Sequence, residues 1–277
     1  MDEGDVLRAI GPIARQGDPD RYLATLFAPN AARPQLLALI AFNVELARIG
    51  EQVSDPELGE IRLQWWREAL HEEAGRATGN PVADAMGTAL DHDRHLAAPI
   101  ARLIDARSFD IEVKIMPDWP ALEAYLHDTA GAMFAAAAAM LGAQNERIEP
   151  VAKAAGMAYG LTGLMRALPV HAAHRRVDLP ADMLRRHGTS PEQILAREPS
   201  AGLKDLLAEF RLQARAALAS ALRHLRALDP NARTAFLPLA LVEPYLRALE
   251  RGQQNALRQV AGINPLYRLW RLATWRG

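Results

Sequence analysis

The chain contains no cysteine. Disulfides, thiolate metal sites and cysteine nucleophiles are therefore excluded, and a reducing compartment is compatible with the sequence. Net charge is nearly absent too: 32 Lys and Arg stand against 33 Asp and Glu, a formal −1. Nothing global argues for nucleic acid, and no nucleic-acid partner is expected, although the positive charge is mostly arginine and locally clustered. Long apolar runs are missing. The longest, residues 130–142, is alanine-rich and shorter than the roughly 20 residues a membrane span needs. The first residues, through Leu23, are acidic and read as neither a signal peptide nor an Arg/Ser-rich transit peptide. Strand-like alternation, a repeat of fixed period and a polar linker are all absent. The expected setting is a bacterial cytoplasm, or the cytoplasmic face of the inner membrane with peripheral contact.

What is present is apolar and helical. Half of the 277 residues are hydrophobic, ample for a buried core. Helices are expected at 5–15, from a cap at Asp18-Pro19-Asp20 to Pro29, and at 33–53. The last carries Leu36, Leu37, Leu39, Ile40, Phe42, Val44, Leu46 and Ile49, too many for one narrow face, so it should be buried nearly all round. Ser54-Asp55-Pro56 signals a turn. Further helices follow at 58–73, from Asn80-Pro81 to Leu90, at 97–108, 122–141, 151–168, 181–187, 203–228, 234–251 and 265–275. Loops are expected at 75–81, 116–120 and 145–150. The fold class is all-α: a single domain over residues 1–277, with helices around a central cavity.

One stretch, 159–182, gathers more ionisable groups beside an apolar helix than any other. Leu161, Leu164, Met165 and Leu168 lie at helical spacing, and Arg166, His171, His174, Arg175 and Arg176 follow within a few turns, before Leu179-Pro180. Together with AFNVELARIGEQVSD at 41–55, it carries a resemblance. The segment at 41–55 is similar to the first aspartate-rich helix of squalene and phytoene synthases. GLTGLMRALPVHAAHRRVDLPADML is similar to their second, matching without a gap at Leu161-Thr162, Arg166, Arg176, Leu179-Pro180, Asp182 and Leu184. YLATLFAP, LQWWREAL, LIDARSFD and YLHDTAGAMFAAAAAMLG echo the family in the same order. The resemblance implies the all-α isoprenoid synthase fold.

The departures from that pattern are concentrated where those synthases hold magnesium. Their aspartates, four residues apart on one helix face, bind the ions that activate two prenyl diphosphates. Around Phe42 and Glu45, this chain puts Ala47 and Arg48 in place of the adjacent aspartates, keeps an acid, Glu51, only at the third aspartate position, and has Val44 for an arginine. In the second helix the two aspartates become Ala167 and His171, with Val170 in place of an acid and Pro169 new. That proline should kink or end the helix. Arginines where carboxylates stood repel hard cations: two like charges at contact cost roughly 4 kcal/mol at an effective dielectric near 20. No metal site and no cofactor are expected, and magnesium belongs only to an enzyme reading using Glu51, Asp105 or Asp110. The second motif also resembles a branch of the superfamily whose mitochondrial member is an assembly factor for respiratory complex I. That resemblance implies an accessory role and a membrane respiratory complex or its assembly partners as partner.

Several residues have two readings. His171 and His174, three apart, suit a metal pair, but no third ligand is visible and Arg175 and Arg176 are hostile neighbours. Arg166, Arg175 and Arg176 suit a phosphate-bearing or phospholipid ligand, or ion pairs with Glu45, Glu51, Asp178 or Asp182. Glu45 and Glu51 are six apart, which favours structural pairing over acid–base work. Trp65 and Trp66 are expected in the core rather than in a docking patch. The alanines at 135–139 favour close helix contact over a lining for an isoprenoid cavity. Residues 264–277 interleave Tyr267, Leu269, Trp270, Leu272 and Trp275 with Arg268, Arg271 and Arg276, a pattern shared by a peripheral membrane helix and by a last packing helix. An isoprenoid or lipid carrier is a third functional reading.

Overall fold

A computed structural model describes residues 3–53, 55–71, 77–112, 115–143 and 147–275. Ser54, parts of the loops expected at 75–81 and 145–150, the end of the helix expected at 58–73, and Arg276 lie outside them. The helices are α1 (Glu3–Gly17), α2 (Pro19–Thr25), α3 (Arg33–Gln52), α4 (Pro56–His71), α5 (Pro81–His92), α6 (Ala97–Asp105), α7 (Arg107–Glu112) and α8 (Trp119–Leu126). They continue with α9 (Ala132–Met140), α10 (Ile148–Ala173), α11 (Ala181–Arg186), α12 (Pro191–Leu195), α13 (Ala201–Leu225), α14 (Pro230–Arg233), α15 (Val242–Arg251) and α16 (Pro265–Thr274). Among the described residues the one β contact is an isolated bridge between Ile115 and Val177. The fold is all-α, as the periodicity predicts.

The described residues fall into two compact units, each assembled from separate stretches of chain. The first comprises Met1–Glu112, Ala132–Glu149 and Arg226–Pro238. At its centre is α3, packed against α1, α5, α7 and α9. Ala38 to Phe42 are buried without interruption, so this part of α3 is enclosed on every side, as its apolar density requires. Asp18 and Asn80 cap α2 and α5, each accepting hydrogen bonds from first-turn amides. The alanines of α9 are buried in this unit's core with Phe42, Leu63, Trp66, Met86 and Leu103, and they let α9 pack closely on α3 and α6.

The second unit comprises Val113–Gly131, Pro150–Leu225 and Leu239–Gly277. Here the helix expected at 122–141 is interrupted: α8 passes into a wide π-type turn over His127–Gly131. The cause lies in α10. A Cβ on Gly156 would stand 2.6 Å from the Gly131 nitrogen, and one on Gly160 would stand 2.7 Å from Leu126 Cδ2. The two backbones touch at a pair of glycines, and the widened turn accommodates that contact. Elsewhere Trp119 packs edge-on against Phe210, with ring centroids 5.5 Å apart.

Of the two outcomes expected of Pro169, a kink or a helix end, the end does not occur there. The helix continues one more turn, to Ala173, because Leu168, Pro169 and Ala172 are buried on a common face and proline's fixed φ suits a helix. Termination comes later and by another device. Arg175 adopts the left-handed conformation, φ 58°; its amide donates to the Ala172 carbonyl, and the Arg176 amide donates to the His171 carbonyl at 2.9 Å. This is a Schellman turn without its usual glycine.

Candidate functional site

Each unit carries one of the two altered motifs. In the first unit, Phe42 is fully buried and meets Trp66 edge-on at 5.1 Å. One turn on, Arg48 reaches Glu45 at 3.4 Å, with both side chains about a third exposed. Ala47 is half-buried and Glu51 exposed. A guanidinium therefore engages an acid on the helix segment where the pattern has paired aspartates.

The remaining acids proposed for metal are also engaged by arginine. Arg107 donates to Asp110 at 2.8 Å and to Asn43 Oδ1 at 2.8 Å, a link buried between α3 and α7. Gly50 permits it, since a Cβ there would stand 3.0 Å from the Asp110 carbonyl oxygen. Asp105 accepts from Arg67 Nε at 2.9 Å. Among the described residues no three His, Asp or Glu side chains gather in a way that could hold a metal ion. Asn43 and Arg107 were missed from the sequence. The three-residue spacing of Arg107 and Asp110 was a usable signal, but nothing local joins Asn43 to a residue 64 positions on.

In the second unit the ionisable cluster resolves into separate contacts. Arg166 donates to the Ala261 carbonyl at 3.2 Å, and its guanidinium lies 3.6 Å from the centre of the Tyr245 ring, a cation–π contact. The Schellman turn folds the chain back so that Asp178 faces α10. His171 Nδ1 is 2.5 Å from Asp178 Oδ2, and Arg176 donates to Asp178 Oδ1 at 3.0 Å. Burial pushes the Asp178 carboxyl up, but hydrogen bonding and charge from His171 and Arg176 outweigh it and leave the carboxyl below its ordinary range. His174 and Arg175 are exposed, and Ala167 is half-buried. Of the four acids considered as partners, Asp178 takes Arg176. Asp182 is instead engaged by the Met183 and Trp119 amides.

One cavity of the first unit, lined by Arg21, Leu36, Ile40, Met133, Phe134 and Ala235, measures about 40 Å³. That is room for a few waters at roughly 10–15 Å³ each, and too little for an isoprenoid chain. Trp65 and Trp66 part company. Trp66 is 4% exposed, whereas Trp65 is 39% exposed, so the expectation that both lie in the core holds for one. Adjacent helical positions point about 100° apart, which leaves Trp65 at the rim, edge-on to Trp66 at 5.0 Å.

An all-α bundle carrying these two motif helices is the architecture of the isoprenoid synthases. The squalene synthase HpnC from Alicyclobacillus acidocaldarius superposes with a TM-score of 0.75, covering 91% of this chain and 95% of that one at 20% identity. The squalene/phytoene synthase family pattern matches residues 14–271, and the chain belongs to that family. NADH dehydrogenase (ubiquinone) complex I, assembly factor 6 of Mus musculus is 30% identical over 240 residues, 86% of this chain and 72% of that protein. Phytoene synthase of Thermus thermophilus is 28% identical over 214 residues, 76% of this chain and 71% of that protein.

Proposed function

We propose that this chain is a non-catalytic, accessory member of its family that acts in the assembly of respiratory complex I. The observation that carries the reading is the pair of altered motif helices. Arg48 occupies an aspartate position and engages Glu45, and His171 occupies another and is tied to Asp178 beside Arg176. Each of these helix faces, so built, repels the cations that prenyl transfer requires. The similarity to assembly factor 6 supports the accessory role. The unbroken family match from residue 14 to 271 supports one domain that includes both units. The partners are subunits or assembly intermediates of a membrane respiratory complex. The setting is a bacterial cytoplasm, with peripheral contact on the inner membrane through residues 264–277 and an apolar or phosphorylated lipid as ligand. Among the described residues no helix is long and apolar enough to cross a membrane.

Deleting the gene in its host and measuring NADH:ubiquinone oxidoreductase activity of the membranes tests the role. Activity should fall and return with the intact gene; full activity in the deletion strain overturns the reading. The similarity to a phytoene synthase favours a second reading, a divergent prenyl transferase that uses Glu51, Asp105 or Asp110 for magnesium. Magnesium-dependent release of pyrophosphate from farnesyl or geranylgeranyl diphosphate by the purified protein would establish it and end the non-catalytic one.

A further inference from the structure

The C-terminal helix is amphipathic in the reverse sense for a protein surface. Of its apolar side chains, Leu272 alone is buried. Leu266 is 76% exposed and Trp270 55%, and Tyr267 and Leu269 are exposed beside them. At 100° per residue these four occupy one continuous outward arc. Arg271 lies off that arc and donates to the Ala240 carbonyl at 3.2 and 3.3 Å. The helix thus points its apolar arc outward and a cation at the protein. Of the arginines interleaved along this segment, Arg271 therefore serves packing on the protein.

Other cations flank the arc. A groove of about 330 Å³ lies between α15 and the start of α16, lined by Arg247, Arg251, Ile263, Asn264 and Tyr267. Arg247 is exposed, lines this groove and uses Nε on Glu243 at 2.9 Å. The exposed Arg251 and Arg258 side chains make no ion pair among the described residues. From Gly252 to Gly277 the sequence has four arginines and no acid. Tyr267 and Trp270 stack at 5.7 Å, placing two rings that favour the water–lipid boundary next to the basic groove.

We infer that α15 and α16 form a docking surface for an anionic phospholipid bilayer. Leu266, Leu269 and Trp270 enter the headgroup–acyl boundary, and Arg247 and Arg251 hold a lipid phosphate in the groove beside Tyr267. A ten-residue helix is about 15 Å long, half the hydrocarbon thickness, so it lies in the interface rather than crossing it. The two acids of α15, Glu243 and Glu250, are taken up by Arg215 and Arg247, and none follows from Gly252 to Gly277, which favours an anionic membrane over a second copy, whose matching surface would bring like charges together. The inference rests on the peripheral-membrane part of the function proposed above and adds the lipid class and the residues that select it.

Sedimentation of the full chain with vesicles of phosphatidylcholine alone, or with phosphatidylglycerol added, tests it. The wild type should bind the anionic vesicles at least tenfold better. Leu266→Ser with Trp270→Ser should remove binding to both. Arg247→Ala with Arg251→Ala should cost about thirtyfold on anionic vesicles, near what two surface cations contribute, and spare the residual binding to neutral ones. All four side chains are exposed, so circular dichroism and the thermal midpoint should be unchanged. If the arginine variant keeps its anionic preference, the headgroup groove is wrong while membrane contact survives. If the wild type sediments with neither vesicle, membrane contact fails as well. A dimer in ultracentrifugation that the Leu266/Trp270 variant abolishes, without vesicle binding, would assign the surface to a second copy instead.

Discussion

His171 and Asp178 sit seven residues apart in sequence and 2.5 Å apart in space. The turn that joins them has Arg175 in the left-handed conformation, and Arg176 closes the contact from the other side. Asp178→Asn should lower stability by about 2 kcal/mol near neutral pH, since it leaves the half-buried Arg176 short of a counter-charge and takes the carboxylate from the His171 ring. The effect has a pH signature. The Asp178 carboxyl is held below its reference value of 3.8, so the folded state takes up this proton less readily than the unfolded chain. The stabilisation is complete above about pH 5 and is lost as pH falls through the unfolded value and then the folded one. Urea melts at about pH 7 and about pH 3 check this. The gap between wild type and variant should narrow at the lower pH, and a constant gap rules out the charge explanation.

Gly156 and Gly163 lie seven residues apart on α10 and should respond to alanine with opposite sign. At Gly156 the new methyl would meet the nitrogen and Cα of Gly131 at 2.6 and 2.7 Å. Backbone cannot rotate away, so the α8–α10 contact must open, at about 1–3 kcal/mol. At Gly163 nothing lies within 4 Å, and the helix should gain up to about 1 kcal/mol from losing a glycine. Chemical denaturation of the two variants measures both. Equal destabilisation would mean that the close approach at Gly131 is not tight.

These two sites also mark how far the sequence could be read. Buried α3 was legible because five successive apolar residues cannot all face water. The capping of α2 and α5 was legible because Asp18-Pro19 and Asn80-Pro81 are local signals with a local cause. The end of α10 was not, because a Schellman turn is usually announced by glycine and here Arg175 takes that place. The turn at 127–131 was also hidden: it answers to Gly156, and HDTAG alone gives no reason to leave α-helical geometry. For the site, Ala47, Arg48, Ala167 and His171 could be set residue by residue against the aspartates of the family pattern. Which acid each arginine would choose was not, since Asp178 faces His171 only after the chain reverses.

The two adjacent tryptophans should separate cleanly under mutation. Trp66→Ala removes a ring enclosed with Phe42 and should cost about 3–4 kcal/mol. Trp65→Ala removes a ring already 39% exposed and should cost about 1 kcal/mol. Thermal melts rank them. If Trp65→Ala is the costlier change, the face that α4 buries has been misassigned.

Magnesium should leave the stability of the wild type unchanged. A ligand at a hundred times its Kd adds about 2.7 kcal/mol to a folded state that binds it, enough to move a thermal midpoint by several degrees. The acids on or beside the motif helices are engaged: Glu45 by Arg48, Asp110 by Arg107, Asp178 by His171 and Arg176. Exposed Glu51 by itself offers one carboxylate to an ion that prefers six ordered oxygens. Thermal melts in EDTA and in millimolar magnesium should therefore coincide. The double change Ala47→Asp with Arg48→Asp supplies the contrast. It sets four acids at 45, 47, 48 and 51, and like charges three or four apart on a helix cost about 0.2–0.5 kcal/mol per pair. This variant should melt lower in EDTA and recover part of the loss when magnesium is added, because the cation relieves that repulsion. A magnesium-dependent rise in the wild type itself would reveal a metal site that the arginines fail to block, and would return the divergent prenyl transferase to first place.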